Sequence, residues 1–197
     1  MNIRLAEPTA RNLAIAVWLR RETAAWLESQ GHDQWVRDWP NTETMVESFA
    51  RDLEAGQTWF VYNHADQVLG CITLNQATAV NLWNDEEVNT ALFVHRLTLS
   101  RKATGQGLGA QLLDFAGQKA QASGWDWLRL DAWTTNRKLH QYYMRQGFQL
   151  VRIVENHHSP SAACFERPAA YRSASLSIPE SDTRYDSAQT FVPLGGL

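Results

Sequence analysis

The fold is decided by residues 91–133, which read ALFVHRLTLSRKATGQGLGAQLLDFAGQKAQASGWDWLRLDAW. The stretch opens with a β-rich run, passes through a glycine-rich loop and continues with apolar residues at helical spacing as far as Gly124. A second β-rich run covers residues 127–133. Two strands joined by a crossover helix form a βαβ unit, in which the strands are parallel. The stretch therefore predicts an α/β or α+β fold.

Elements on both sides of this unit follow from the same periodicities. A hairpin before the unit predicts two antiparallel strands, so the sheet is mixed. The predicted elements are a strand at 3–5, a helix from Thr9 to about Gly31, a helix at 45–56, a hairpin with strands at 59–62 and 68–74, a polar loop at 83–87, a helix at 136–146, a strand at 148–154 and a weaker strand at 163–166.

Domain organisation follows from a change of composition near Tyr171. Beyond it the chain is rich in serine, proline and acidic residues, which favours an extended and poorly packed segment. We therefore predict one domain over residues 1–171 and an extended C-terminal tail over residues 172–197.

Composition limits the classes of partner. The chain has 197 residues, a hydrophobic fraction of 44% and a net charge of −3, which is typical of a globular domain with no general attraction to nucleic acid. The N-terminus lacks the apolar run of a secretory signal and no stretch is long enough to span a membrane, so a cytoplasmic location is expected. Cys71 and Cys164 are expected to be free and buried, and no metal site is predicted.

The glycine-rich loop lies between a strand and a helix. Free backbone N–H groups and the positive end of the helix dipole point into this space, which suits a phosphate group. Glycine lets a phosphate oxygen approach the amides closely. The residues of this candidate cofactor site are Thr104, Gly105, Gln106, Gly107, Leu108, Gly109 and Ala110.

Two classes of cofactor fit this loop. The dinucleotide-binding pattern is also satisfied by Gly105, Gly107 and Ala110. In that pattern an acidic residue about twenty positions further on binds the ribose, and Asp131 lies at about this spacing. That reading predicts a nicotinamide-dependent oxidoreductase. Against it, residues 100–104 separate the loop from its strand, whereas a dinucleotide loop follows its strand directly.

The segment after the second strand makes the pattern specific. Asn136, Tyr143 and the pair Gly147 and Phe148 follow the glycine loop in an order and spacing that resemble the GNAT superfamily of N-acetyltransferases. The resemblance covers residues 91–155, and the flanking elements fit to about residue 171. It implies acetyl-CoA as the acyl donor and a mixed, mostly antiparallel sheet with splayed central strands, flanked by helices. Thr104 departs from the arginine or glutamine usual at that position, and Arg101 or Lys102 is expected to supply the missing charge.

The resemblance also implies roles for individual residues. Backbone groups of Leu97, Thr98 and Leu99, together with Asn136, would bind the pantetheine arm of the cofactor. Asn136 is equally suited to cap the following helix. Tyr143 is the candidate general acid, because its hydroxyl would reach the leaving thiolate.

An acceptor amine must lose a proton before it attacks, so a base is required. Asp131 resembles a catalytic glutamate of protein N-terminal acetyltransferases by its offset from Asn136, and His95 resembles the position of a carboxylate base in other relatives. Each is equally suited to a structural role, and the sequence ranks them nearly level. Glu86 and Glu87 are expected to be solvated surface charges.

Acceptor specificity in the superfamily comes from the first two helices and their connection. The candidate substrate-binding residues there are Trp26, Gln34, Trp35 and Trp39. The aromatic residues would wall a pocket or surround a cationic amine, or else pack as core. The leading function is acetylation of a small-molecule amine in a ternary complex. The alternatives are a protein N-terminal or lysine acetyltransferase and a non-catalytic coenzyme A-binding module, and the resemblance further implies a homodimer.

Overall fold

Local sequence signals set the bounds of the helices and strands. The computed structural model describes residues 1–38, 40–155, 157–173 and 178–181. Thr9 and Asn41 cap the first two helices with their side chains, and Gly107 begins the fourth in a left-handed conformation. The elements are β1 (Asn2–Leu5), α1 (Ala10–Ser29), α2 (Thr42–Glu54), β2 (Thr58–Tyr62), β3 (Val68–Asn75), α3 (Asp85–Asn89), β4 (Ala91–Leu99), a 3₁₀ helix (Arg101–Ala103), α4 (Leu108–Ala122), β5 (Trp127–Ala132), α5 (Arg137–Arg145), β6 (Gln149–Ile153) and β7 (Ala163–Pro168).

The strands form one mixed sheet in the order β1-β2-β3-β4-β5-β7-β6. β4 and β5 are parallel, and the other neighbouring pairs are antiparallel. This confirms the predicted fold class with its central βαβ unit. It also makes the dinucleotide interpretation wrong, because that fold requires a largely parallel sheet.

Helices cover both faces of the sheet. Leu19 of α1 and Phe49 of α2 pack against Phe60 of β2 on one face. Leu112 and Leu113 of α4 belong to the cluster on the other face. On this second face, the glycine-rich N-terminus of α4 lies near the carboxyl end of β4.

One predicted loop contains a helix. Residues 83–87 include the start of α3, where the Asn84 side chain accepts from the Glu87 N–H and the Glu87 carboxylate accepts from the Asn84 N–H. This capping box makes a five-residue helix possible despite its weak periodicity. Glu87 also pairs with Arg152 at 2.5 Å, and that hydrogen bond lowers the pKa of the carboxyl group. The expectation of a solvated charge is therefore wrong for Glu87.

The described part of the tail runs beside β1. The N–H of Ile3 donates to the Pro179 carbonyl at 3.0 Å, and the N–H of Ser181 donates to the Ile3 carbonyl at 2.9 Å. Ile178 is buried against the α4 side of the core. The predicted tail is thus extended here but packed, and its other residues, 174–177 and 182–197, lie outside the described residues.

Cys71 and Cys164 are free and buried, as predicted. In the described ranges, no helix combines the length and the apolar character needed to cross a bilayer.

Candidate active site

The central strands separate toward their carboxyl ends. β4 and β5 pair from Ala91 with Trp127 to Phe93 with Arg129, and the ladder ends there although β4 continues to Leu99. If the register continued, His95 would lie opposite Asp131 on the same face of the sheet. The gap therefore opens at the level of the two candidate bases.

A β-bulge in β4 occurs at the same level. Thr73 of β3 pairs with His95, whereas Cys71 pairs with Thr98, so Arg96 and Leu97 together lie opposite one residue of β3. Arg96 has a φ of 49°, in the left-handed region that residues with a side chain seldom adopt. Such a bulge bends the strand and changes the direction of its side chains.

The glycine-rich loop forms the N-terminus of α4. Gly105 and Gly107 have φ values of 81° and 72°, and Gly107 provides no side-chain cap, so the first amides of the helix remain available to an anion. The loop residue Thr104 is exposed, as is Lys102. Arg101 is already engaged, because its guanidinium lies 3.8 Å from the centre of the Trp26 ring. Of the two residues predicted to supply the charge missing at Thr104, Lys102 is therefore the better placed to contact a bound anion.

Gly109 allows a close contact between the loop and α5. A Cβ atom built on Gly109 would lie 2.3 Å from the Tyr142 hydroxyl oxygen, so any side chain here would displace Tyr142. The Tyr142 ring also lines a cavity of about 450 Å³, which we call the main cavity. Tyr142 therefore joins the anion-binding loop to this cavity.

The main cavity brings the three candidate catalytic residues together. His95, Asp131 and Tyr143 all line it, although they belong to β4, β5 and α5. Burial raises the pKa of the Tyr143 phenol, so the hydroxyl is protonated at neutral pH. Because Tyr143 lines the main cavity, its hydroxyl is placed to contact a bound group.

The environments of the two candidate bases differ. Burial lowers the pKa of His95 to about 4, against the opposing effect of a hydrogen bond to the Ala77 backbone. Its ring stacks on Phe93, and among the described residues its Nε2 atom has no partner. Burial raises the pKa of Asp131 to about 6. Asp131 is thus the stronger base of the two, and it is ionised at neutral pH.

Three of the four candidate acceptor residues, Trp26, Gln34 and Trp35, line the main cavity. Trp39 lies outside the described residues. One side of the Trp35 ring faces the Arg20 guanidinium at 5.6 Å, as Trp26 faces Arg101. The two indoles are thus already paired with cations of the protein itself, which argues against the predicted cage for a cationic amine.

Asn136 has a structural role as well as a place in the main cavity. Its side chain accepts from the Leu139 N–H at 3.0 Å, which caps α5 as predicted. The same amide donates to the Gln34 side-chain oxygen at 2.6 Å. One N–H of the amide remains for the pantetheine arm, so that role stays a prediction.

The backbone candidates on β4 are divided between two regions. Leu97 lines the main cavity, whereas Thr98 lines a smaller one and its hydroxyl lies 2.9 Å from the Cys71 sulfur. Leu99 lines neither of these two cavities. The role of these three residues toward the cofactor stays a prediction.

Comparison with known proteins agrees with this geometry. Residues 55–150 match the model of the acetyltransferase (GNAT) domain. YesJ of Bacillus subtilis (strain 168), an uncharacterized N-acetyltransferase, is 28% identical over 132 residues, which are 66% of this chain and 72% of that protein. The chain belongs to the GNAT superfamily. It is a GNAT-type N-acetyltransferase.

Solved structures share the fold of this GNAT acetyltransferase. A GNAT-family acetyltransferase from Listeria monocytogenes 4b F2365 has a TM-score of 0.69 at 24% identity, covering 84% of this chain and 93% of that one. The PaiA N-acetyltransferase from Thermoplasma acidophilum, solved in complex with coenzyme A, has a TM-score of 0.61 at 18% identity, covering 85% of this chain and 98% of that one. At these identities the likeness concerns the fold.

GNAT acetyltransferases use acetyl-CoA, and the residues present fit it. The uncapped amides of α4 and the exposed loop suit the pyrophosphate. The gap between β4 and β5 leaves an unpaired strand edge beside the main cavity, which suits the amide-rich pantetheine arm.

Sequence reasoning missed two residues of the GNAT site. Asp33 accepts hydrogen bonds from Trp133 Nε1 at 3.0 Å and from the Thr135 hydroxyl at 2.7 Å, and so ties the α1–α2 connection to the β5–α5 loop. Arg96 lines both the main cavity and the smaller one. Its signal is visible in the sequence, because Arg96 is the one residue of formal charge in the mainly apolar run of residues 91–99.

Proposed function

We propose that this acetyltransferase moves the acetyl group of acetyl-CoA to the primary amine of a small molecule, by direct attack in a ternary complex. The observation that carries the small-molecule assignment is the wall that the α1–α2 connection adds to the main cavity. Gln34 and Trp35 line the cavity, and Asp33 and Gln34 bond to residues after β5. A hollow of about 450 Å³ that has the α1–α2 connection as one wall suits a small amine, whereas a protein segment needs a groove open along its length.

Asp131 is the proposed general base. An alkylammonium is almost wholly charged at neutral pH, with a pKa of about 10, and cannot attack a carbonyl. Asp131 lines the main cavity with a pKa raised to about 6, so it is ionised and able to take the proton. His95, on the other side of the gap, is neutral and accepts or donates a hydrogen bond to the acceptor.

Tyr143 is the proposed partner of the leaving sulfur. Acetyl-CoA, when bound, supplies an acetyl group activated as a thioester. The raised pKa of Tyr143 keeps the proton on its hydroxyl, which donates a hydrogen bond where negative charge develops. The same raised pKa makes complete proton transfer from the phenol harder, so the hydrogen bond is its main contribution.

Replacement of Tyr143 tests this assignment. We expect Tyr143→Phe to lower kcat by about 100-fold, the order of a lost acid or charge-stabilising donor, with little change in the Kd of coenzyme A. Tyr171→Phe is the matched control, because Tyr171 does not line the main cavity. Thiol release is followed with a panel of amines, and coenzyme A binding by calorimetry. Unchanged turnover in Tyr143→Phe removes the assignment.

A peptide panel separates the two classes of acceptor. Small amines, peptides with free N-termini and lysine peptides are compared by kcat/KM in the same assay. The proposal expects the small amines to react faster. Preferential acetylation of the peptides would establish the protein acetyltransferase instead.

A further inference from the structure

A second hollow adjoins the main cavity. It has a volume of about 170 Å³, and we call it the side chamber. Trp35, Arg96, Trp133 and Ser161 line both spaces. Since one ordered water needs about 10–15 Å³, the side chamber has room for a functional group of several atoms. A molecule whose amine lies near Asp131 therefore has space for a second group beyond Arg96.

The lining of the side chamber carries positive charge and hydrogen-bond donors. Its only charged lining residues are Arg20 and Arg96, and no carboxylate is among the described residues that line it. Four residues with hydroxyl groups also line it, namely Ser48, Thr98, Ser159 and Ser161. Guanidinium and hydroxyl groups together match the oxygens of an anion.

Each guanidinium is paired with an aspartate that does not line the side chamber. Arg96 pairs with Asp52, donates to the Ser48 hydroxyl at 2.9 Å and lies 4.1 Å from the centre of the Phe49 ring. Arg20 pairs with Asp38 at 2.6 Å. A guanidinium has five N–H donors, so one aspartate and one serine do not exhaust it. The aspartates fix the two groups without lining the chamber themselves.

The β-bulge explains why Arg96 reaches this chamber. His95 and Arg96 are adjacent in β4, yet both line the main cavity. The left-handed conformation of Arg96 directs its side chain to α2, where Ser48 and Asp52 hold it. One strand thus places a neutral histidine at the catalytic gap and a cation one residue further on.

We propose that the side chamber binds a carboxylate of the acceptor, so that the substrates are small amines of the amino-acid class. Arg96, with Arg20 behind it, is the specificity-determining residue. The assignment rests on the proposed acetylation of small amines and names their chemistry. An acceptor with a second cation would face two guanidiniums and is disfavoured.

Matched acceptors test the proposal on the unmodified enzyme. Each amino acid is compared with its amide and with its decarboxylated amine, using coenzyme A release at fixed acetyl-CoA. Rates are expressed per unprotonated amine, because the three compounds differ in amine pKa. Hydrogen bonds to a charged group predict a kcat/KM about 10- to 100-fold higher for the carboxylate-bearing member.

Variants assign the effect to the chamber. Arg96→Met should bring the kcat/KM of the amino acid close to that of its amide, and Arg96→Lys should restore part of the preference for the amino acid. Arg37→Met is the control, because Arg37 is exposed in the connection between α1 and α2 and lines neither cavity. A double variant, Arg96→Met with Asp52→Asn, avoids an unpaired buried carboxylate if the single variant folds poorly.

The outcomes separate the two levels of the proposal. Amides or decarboxylated amines acetylated as fast as the amino acids overturn the carboxylate assignment and leave the acetyltransferase function intact. The same holds if Arg96→Met keeps the preference of the unmodified enzyme. If no small amine is acetylated while peptides are, the small-molecule function fails and the chamber assignment fails with it.

Discussion

At the scale of single residues, burial distinguishes the two candidate bases. Asp131 and His95 line the same cavity, and desolvation disfavours the charged form of each. For the carboxyl group this raises the pKa toward the working pH, and for the imidazole it lowers the pKa away from it. The same physical effect therefore improves Asp131 as a base and weakens His95.

The pH dependence of turnover tests the role of Asp131. Because the carboxylate must be ionised to accept a proton, the kcat/KM of the acceptor should rise with pH up to about 6 and level off above it. Asp131→Asn should lower kcat by about 100-fold and remove this rise. His95→Gln is the comparison variant and should keep the rise near pH 6. A profile that is unchanged in Asp131→Asn would assign the ionisation to another group.

Stability provides a second, independent test of the same carboxyl group. A folded-state pKa of about 6, raised from 3.8, favours the protonated form, so its stabilising contribution is present at acidic pH and is lost as the pH rises from about 4 to about 6. At pH 7.5, Asp131→Asn should therefore increase the free energy of unfolding, by at most about 3 kcal/mol. Near pH 3 the two proteins should be alike. Urea titrations at both pH values measure the difference.

The positions of these residues could be predicted from the sequence, but their pKa values could not. Tyr143 and Asp131 were found by their spacing from Asn136, which a helix and a strand preserve locally. Their pKa values depend on burial by elements distant in the chain, which no local pattern encodes. Arg96 was missed for a related reason, because the direction of its side chain follows from a bulge that exists only when β3 pairs with β4.

At the scale of elements, the α1–α2 connection forms one wall of the active site. Asp33 and Gln34 bond to Trp133, Thr135 and Asn136, all of which follow β5. The βαβ unit and the long helices were predictable, because many residues repeat one period over each of them. The attachment of the connection was not, since it depends on single side chains far apart in the sequence.

Removal of this attachment tests its function. Asp33→Ala loses two exposed hydrogen bonds, so the free energy of unfolding should fall by no more than about 1 kcal/mol. The KM of the acceptor should nevertheless rise several-fold, because the wall formed by Gln34 and Trp35 is held less firmly. Glu28→Ala, an exposed acidic residue of α1, is the control. Equal KM values in Asp33→Ala and the unmodified enzyme contradict this role.

At the scale of the whole molecule, a buried ion pair joins the layers of the fold. Arg167 of β7 lies 3.1 Å from Asp114 of α4, and their side chains are 0% and 4% exposed. Arg167 also donates to the Gln146 carbonyl at the end of α5. The pair thus connects the helix that presents the glycine loop to the strand beside β5 and to the helix that carries Tyr143. The homodimer implied by the family resemblance stays a prediction.

Loss of one partner of this pair should destabilise the whole domain. Asp114→Ala leaves the Arg167 charge buried and uncompensated, which typically costs about 3–5 kcal/mol of the free energy of unfolding. Glu180→Gln is the matched control, because its pair with Lys119 is 37% and 32% exposed and should contribute at most about 1 kcal/mol. Replacement of both buried charges, Asp114→Leu with Arg167→Met, should recover most of the loss, since neither charge is then left unpaired. Urea unfolding at pH 7.5 measures all three. If Asp114→Ala is no less stable than Glu180→Gln, the pair does not join the layers energetically.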